Sequence, residues 1–329
     1  MNLYLAPMEG VTDRVFRQAY CRCFEPLDKY FAPFLTPNEN GKLGPRDLAQ
    51  LDPERNPGCL PIPQILTNQA EGFIRTAAQL KRMGYQEINL NLGCPSGTVV
   101  SKGRGAGFLA FPEQLDGFLY QVCSAMESMN VKLSVKTRIG VEQPEEFEVL
   151  MEIYNRYAME ELIIHPRVRK DFYKNTPRMD VFRKAFAESR NPVCYNGDLF
   201  RKEDLDAAVS ACPGLDRVMI GRGLASNPGL AQQIRTGRPV SREQFLEFYQ
   251  LLYSGYKEQL LQASGQRVVL FRMKEMWEYM IGLFPDSKKQ KKRILKSQNL
   301  AEYEAAVRDL IRECPFAGEE ESYAAVSGH

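Results

Sequence analysis

The sequence predicts an α/β fold, a (β/α)8 TIM barrel followed by a small all-helical C-terminal domain. Two observations carry this prediction. Eight short apolar runs alternate with longer segments whose apolar residues recur at spacings of three and four, over about 240 residues. Near Arg238-Pro239 the alternation stops, and only helical patterns follow. An open doubly wound sheet is the alternative. It needs a glycine-rich phosphate loop after its first strand, and Leu5-Ala6-Pro7-Met8-Glu9-Gly10 is not one.

The predicted strands span 3–8, 30–35, 63–66, 87–92, 132–137, 161–165, 193–196 and 218–221. Helices are predicted over 13–24, 70–83, 112–126, 145–157, 202–211 and 228–236. Phe73, Ala77 and Leu80 show the spacing that buries one helix face. Thr12-Asp13 precede the first helix, and Pro112 and Pro228 open later ones, as start signals do. Further helices are predicted over 242–262, 268–283 and 301–313, with Phe271, Trp277 and Tyr279 expected in their common core. The chain is thus read as a catalytic barrel, 1–238, a helical domain, 239–315, and a small, polar, acidic tail, 316–329, expected to be disordered.

Composition narrows the class of function. Of 329 residues, 44% are hydrophobic and 26% charged, an ordinary globular balance. No signal-peptide pattern opens the chain, and no apolar run is long enough to span a membrane. Eight scattered cysteines fit a reduced, cytoplasmic protein. Cys21-Arg22-Cys23 lacks a second pair or a nearby histidine, so no metal is expected. Net charge is only +2, which excludes a polycation. The charge is unevenly spread. Six of the nine residues from 288 to 296 are basic (Lys288, Lys289, Lys291, Lys292, Arg293, Lys296), and a second basic stretch runs from 167 to 184. Either is a solvated face or a phosphate-binding one.

In a barrel the chemistry sits at the carboxyl ends of the strands. Those ends are polar here against an apolar background. They carry Pro7-Met8-Glu9, Gln64, Asn91 with Cys94, Lys136 with Arg138, His165 with Arg167, Asn196-Gly197-Asp198 and Gly221-Arg222-Gly223. The last two follow strands seven and eight, where barrels commonly hold phosphate; glycine lets backbone N–H groups approach and Arg222 adds a bidentate contact. Gly103-Arg104-Gly105-Ala106-Gly107 is read as a flexible active-site loop. Lys136 lies mid-strand among Leu133 and Val135, a costly position unless an anion meets it. The pyrimidine edge of a reduced flavin is such an anion, and Gln64 is placed to hydrogen-bond it. Cys94, between a glycine and a proline, suits a general acid, since a thiol is mostly protonated at neutral pH. Its own loop has no histidine base, which argues against a protease-like nucleophile.

These residues together resemble the dihydrouridine synthase family. The motifs are APMEGVTD at 6–13, Gln64, NLGCPS at 91–96, VKTR at 135–138, His165 with Arg167, NGD at 196–198 and IGRG at 220–223. They occur in order through the whole barrel. The resemblance implies an FMN enzyme that reduces the carbon 5–carbon 6 double bond of uridine in RNA, with NADPH as electron donor and tRNA as the usual substrate; ribosomal RNA is the other candidate. It places Pro7, Met8, Glu9, Gln64, Lys136, His165, Asn196, Gly197, Asp198, Gly221 and Arg222 at the flavin. It makes Cys94 the proton donor and puts Asn91 near the target uracil. Arg138, Arg167 and Lys288, Lys289, Lys291, Lys292 and Arg293 are then expected at the RNA, and the enzyme is expected to be a monomer. Two departures bear on the substrate. Gly97 stands where many relatives have a lysine or another polar residue, and Pro166 and Val168 flank Arg167 where many relatives read HGRT. An FMN barrel acting on a small pyrimidine and a non-catalytic RNA-binding relative are the competing readings. The basic helical domain argues against the first, and the retained Cys94 against the second.

Overall fold

The structure, a computed structural model, describes residues 1–38 and 43–317. The expected tail falls outside the described residues from position 318 on; its first two residues, Phe316 and Ala317, are buried.

The eight strands are β1 (Asn2–Leu5), β2 (Lys29–Tyr30), β3 (Gln64–Ile65), β4 (Glu87–Leu92), β5 (Lys132–Arg138), β6 (Glu161–His165), β7 (Val193–Tyr195) and β8 (Arg217–Ile220). All pair in parallel in the order β2-β1-β8-β7-β6-β5-β4-β3. Single bridges, Phe31 with Ile62 and Leu35 with Ile65, join the two ends and close the barrel. The helices are α1 (Arg14–Cys23), α2 (Pro45–Leu51), α3 (Ala70–Arg82), α4 (Gly97–Val100), α5 (Pro112–Ser128), α6 (Glu146–Tyr154), α7 (Met179–Glu188), α8 (Lys202–Ala211), α9 (Arg222–Ser226), α10 (Leu230–Thr236), α11 (Arg242–Ser264), α12 (Gln266–Met280), α13 (Lys288–Lys296) and α14 (Leu300–Glu313). The predicted TIM barrel is therefore present, with β1, β2, β3 and β7 shorter than expected and β4 and β6 over the expected ranges. The helices α2, α4, α7, α9 and α13 are additions to the predicted set.

The described chain forms two compact units. The first comprises Met1–Pro7, Leu27–Asp198 and Leu205–Ile220 and holds the whole sheet. Its lumen is filled by Tyr4, Ala6, Phe31, Ile163, Cys194 and Met219. The foot of the barrel is ionic. The even strands β2, β4, β6 and β8 begin with Lys29, Glu87, Glu161 and Arg217. Lys29 Nζ lies 2.8 Å from Glu87 and 2.6 Å from Glu161, which is fully buried; Arg217 is 3.8 Å from Glu161. Alternate strands contribute to one layer of a barrel, so these four meet although they are far apart in sequence.

The second unit takes in Met8–Pro26, Leu199–Asp204 and the chain from Gly221. Within it α1 packs on α11: Phe16 meets Phe248 edge-on at 5.5 Å, and Asp13 caps α1 while accepting the Tyr256 hydroxyl at 3.1 Å. Trp277 is buried, as expected, and donates its indole N–H to Tyr303 at 2.8 Å. Phe271 departs from the expectation: it is 69% exposed. Helix periodicity places Val269, Leu270, Met273, Met276 and Trp277 on the buried face, and Phe271 falls on the opposite one.

Candidate active site

Side chains alternate along a strand, so polar residues two apart line one face. β4 thus carries Glu87, Asn89 and Asn91 on one face; β5 carries Ser134, Lys136 and Arg138. Pairing sets Gln64 beside Asn89, Asn89 beside Ser134, and Asn91 beside Lys136.

A one-way hydrogen-bond relay runs through these residues. The backbone N–H groups of Cys94 and Gly93 donate to Asn91 Oδ1 at 2.9 and 3.0 Å. Asn91 Nδ2 donates to Gln64 Oε1 at 2.7 Å, and Gln64 Nε2 to Asn89 Oδ1 at 2.8 Å. Asn89 Nδ2 donates to Ser134 Oγ at 2.9 Å. All four side chains are buried. Each carboxamide gives its oxygen to one neighbour and its nitrogen to the next, so flipping any of them would set like groups face to face. The relay therefore fixes the orientation of Gln64 and Asn91 and, through Asn91, the loop that holds Cys94.

A second support comes from the glycine cluster, which is not the flexible loop expected. Gly105 to Leu109 are buried within a 3-10 turn, and Ala106 N–H donates to Cys94 O at 3.0 Å. Gly105 has φ +55°, and a Cβ there would lie 2.9 Å from Cys94 O. Only glycine lets this turn press against the cysteine loop.

Lys136 has no hydrogen-bond or ion-pair partner among the described residues. Burial, with the charge of Arg138 adding to it, lowers its ammonium to about 8. A desolvated, unpartnered cation fits the anionic edge of a reduced flavin, and this feature of the site supports that cofactor.

His165 is buried, and its Nε2 faces Arg167 Nη1 at 3.0 Å. A guanidinium only donates, so Nε2 accepts and the ring proton sits on Nδ1. Arg167 also grips Asp198 with both terminal nitrogens, at 2.9 and 2.5 Å, and donates to Asn175 O. Arg138 donates to the carbonyls of Gly93, Val168 and Phe172 at 3.0, 3.0 and 2.8 Å. Both arginines, expected at the RNA, are thus spent on bracing loops. Asn196 donates to Met219 O at 2.8 Å. Gly197 is required because a Cβ would collide with the Tyr195 ring, 1.9 Å from its hydroxyl. In the second unit Met8 and Arg222 are half-buried and Glu9 is exposed; Arg222 lies over the Phe200 ring at 5.4 Å.

Sequence reasoning misses Asn89 and Ser134. A signal for them exists: Glu87-x-Asn89-x-Asn91 alternates polar and apolar residues as a barrel-lining strand does. The basic stretch 167–184 is neutralised at four of its seven basic residues, since Arg178 pairs with Asp171, Lys184 with Glu148, Arg167 with Asp198 and Lys170 with Glu142. The cluster on α13 is less so. Lys291 pairs with Glu278 and Arg293 with Asp309, whereas Lys288, Lys289, Lys292 and Lys296 have no ion pair among the described residues.

Comparison with known proteins gives consistent results. The family described as dihydrouridine synthase matches residues 4–314. A Staphylococcus aureus protein named "Probable tRNA-dihydrouridine synthase" is 31% identical over 235 residues, covering 68% of this chain and 68% of its own. The "tRNA-dihydrouridine(16) synthase" of Ralstonia nicotianae is 32% identical over 241 residues, covering 71% of this chain and 72% of its own. Among solved structures, morphinone reductase aligns with a TM-score of 0.53 at 13% identity, over 75% of this chain and 88% of that one, a likeness of fold.

Proposed function

Because this chain belongs to the dihydrouridine synthase family, we propose that its barrel mouth reduces the carbon 5–carbon 6 double bond of uridine in tRNA to dihydrouridine, with FMN as cofactor and NADPH as reductant. The observation that carries this reading is the pairing of Asn91 with Lys136 across β4 and β5. One holds the loop of a proton donor, and the other offers an unpartnered cation to a flavin.

The chemistry FMN supplies when bound is delivery of a hydride, drawn from NADPH, to carbon 6 of uracil. Cys94 gives its thiol proton to carbon 5, so one hydride and one proton add across the double bond. The sulfur then regains a proton from solvent. Lys136 would meet the anionic edge of the bound flavin. Gln64, oriented by Asn89, keeps an N–H for the same edge. His165, held by Arg167 at Nε2, is part of the proposed flavin set. Pro7, Met8, Glu9, Asn196, Gly197 and Asp198 complete the proposed flavin set, with Gly221 and Arg222 for the phosphate. The region 239–315 is proposed to bind RNA through α13, because lysines without acidic partners are available to phosphates. A cytoplasmic setting fits eight cysteines that form no disulfide.

The test is mass spectrometry of tRNA from a deletion strain, complemented with wild type or with Cys94→Ala. Wild type should restore dihydrouridine and the variant should not. Unchanged dihydrouridine in the deletion strain would overturn the reading. Purified protein should release FMN on heating.

A further inference from the structure

A groove in the second unit has a volume of about 540 Å³ and lies between α12 and the turn that follows α13. Arg267, Phe271 and Lys274 line one side, four and three residues apart along α12. Gln298 lines the other. Lys274 ties the two sides together by donating to Ser297 O.

Three features of this groove point to a ligand. Phe271 is 69% exposed, so folding buries only the smaller part of its surface. Arg267 and Gln266 are exposed and have no hydrogen-bond or ion-pair partner among the described residues. Gln298 donates to Lys296 O at 2.8 Å, which pins its amide and leaves Oε1 as an open acceptor. An aromatic face, cations and carboxamides with open hydrogen-bonding atoms in one concavity are the components with which proteins hold an unstacked base: the ring stacks, the cations meet phosphate, and the amides meet the base edge. A protein partner fits less well. Val268 and Phe271 are the only exposed large hydrophobic side chains among the described residues from Gly221 onward, too few for the apolar centre of an interface.

We infer that this groove is a base-stacking subsite for an unpaired nucleotide of the RNA substrate, with Phe271 as the platform and Arg267 at the adjoining phosphate. The inference rests on the proposed function for the identity of the RNA. It adds a specificity contact on the helical region, separate from the reacting uridine.

The experiment measures binding of unmodified tRNA by fluorescence anisotropy, with FMN content and dihydrouridine formation followed in parallel. Phe271→Ala should raise Kd about 5- to 150-fold, the range for losing one base–aromatic stack, with the salt slope unchanged. Phe271→Trp should bind within about twofold of wild type. Arg267→Gln should lower the salt slope by roughly 0.7 to 0.9, the effect of removing one cation from one phosphate. Because Phe271 is exposed, these variants should keep their FMN and fold. Phe271→Ala with wild-type Kd overturns the subsite. If instead Phe271→Ala dissolves an oligomer while tRNA affinity holds, the face belongs to a protein partner and the inference is again overturned. Wild type that binds tRNA but forms no dihydrouridine overturns the proposed reaction alone, and the Phe271→Ala comparison still decides the subsite. Wild type that does not bind RNA overturns both.

Discussion

The Oδ1 atom of Asn91 accepts the backbone N–H of Cys94 at 2.9 Å. This bond makes Asn91 a holder of the cysteine loop, while its Nδ2 is committed to Gln64 at 2.7 Å. A side chain with both ends engaged acts on the substrate through what it positions. Asn91→Ala should therefore lower kcat by about 10²-fold, the scale of a misplacement near 1 Å, with KM little changed. Asn91→Asp keeps the acceptor for the loop and should lose less. Steady-state kinetics on unmodified tRNA separates the cases: a rise in KM with normal kcat would make Asn91 a direct uracil contact.

Cys94→Ala should fold, keep FMN and still be reduced by NADPH, because the Cys94 N–H bond to Asn91 and the Ala106 N–H bond to Cys94 O involve backbone atoms that the variant keeps. Dihydrouridine formation should fall by about 10²–10⁴-fold, the usual worth of a general acid. Stopped-flow absorbance reports the two half-reactions apart. Near-normal turnover in the variant would mean that the proton comes from another group.

Lys136 gives a pH test with two opposite signs. Its ammonium is lowered from 10.5 to about 8 by burial, so between those values the unfolded chain binds more protons than the folded one. Stability of the flavin-free protein should then rise with pH across that window, and the contribution should vanish in Lys136→Met. Affinity for FMN should go the other way, weakening as pH rises through about 8 and the cation is lost. The Met variant should thus be the more stable apoprotein at neutral pH and the weaker flavin binder. Urea denaturation and FMN titration at several pH values check both halves. If the variant binds FMN as tightly as wild type at every pH, Lys136 does not face the flavin.

Much of this architecture is legible in the sequence alone. Eight apolar runs alternating with helices identify the barrel, and the polar ends of those runs mark its working face. What is not legible has physical causes. α7 hides in a stretch whose basic residues mask Val181, Phe182, Ala185 and Phe186, which repeat at helical spacing. Arg138 and Arg167 look like RNA contacts because guanidinium groups usually are, but which carbonyls they meet depends on how two distant loops fold back. The relay from Ser134 to Cys94 links residues 40 apart in sequence and exists only once β3, β4 and β5 are in register. Phe271 shows periodicity outweighing apolar character: its place opposite Val269, Leu270, Met273, Met276 and Trp277 sets it on the exposed face, although its ring suggests the core.

The ionic foot of the barrel is a stability test independent of function. Lys29 touches Glu87 and Glu161 at 2.8 and 2.6 Å, and Glu161 is fully buried. Lys29→Met should strand that carboxylate and cost about 3–5 kcal/mol, since Arg217 at 3.8 Å is too distant to replace the lysine. Lys29→Met with Glu161→Gln should recover a large part, because the fully buried charge is gone and only the less buried Glu87 is left without its lysine. Urea midpoints of the two variants decide it; a single variant as stable as wild type would show that water reaches the foot.

The last prediction concerns α13, where charge opposes the helix that carries it. Lys288 and Lys289 occupy the first turn, the end where the helix dipole disfavours cations. Lys288, Lys292 and Lys296 follow one another at four-residue spacing, which sets like charges side by side. Only Lys291 and Arg293 of the cluster have acidic partners among the described residues, Glu278 and Asp309. Replacing Lys288, Lys289, Lys292 and Lys296 with glutamine should therefore leave the protein as stable as wild type or slightly more so, by about 0.2–0.5 kcal/mol per relieved pair. RNA binding should change in the opposite sense. The slope of log affinity against log salt should flatten by roughly 0.7 to 0.9 for each phosphate no longer neutralised, with FMN content untouched. A residue set that costs stability and adds affinity is what a phosphate-binding role requires. Equal slopes and equal affinities in wild type and the quadruple variant would reject it and leave the four lysines as a solvated face.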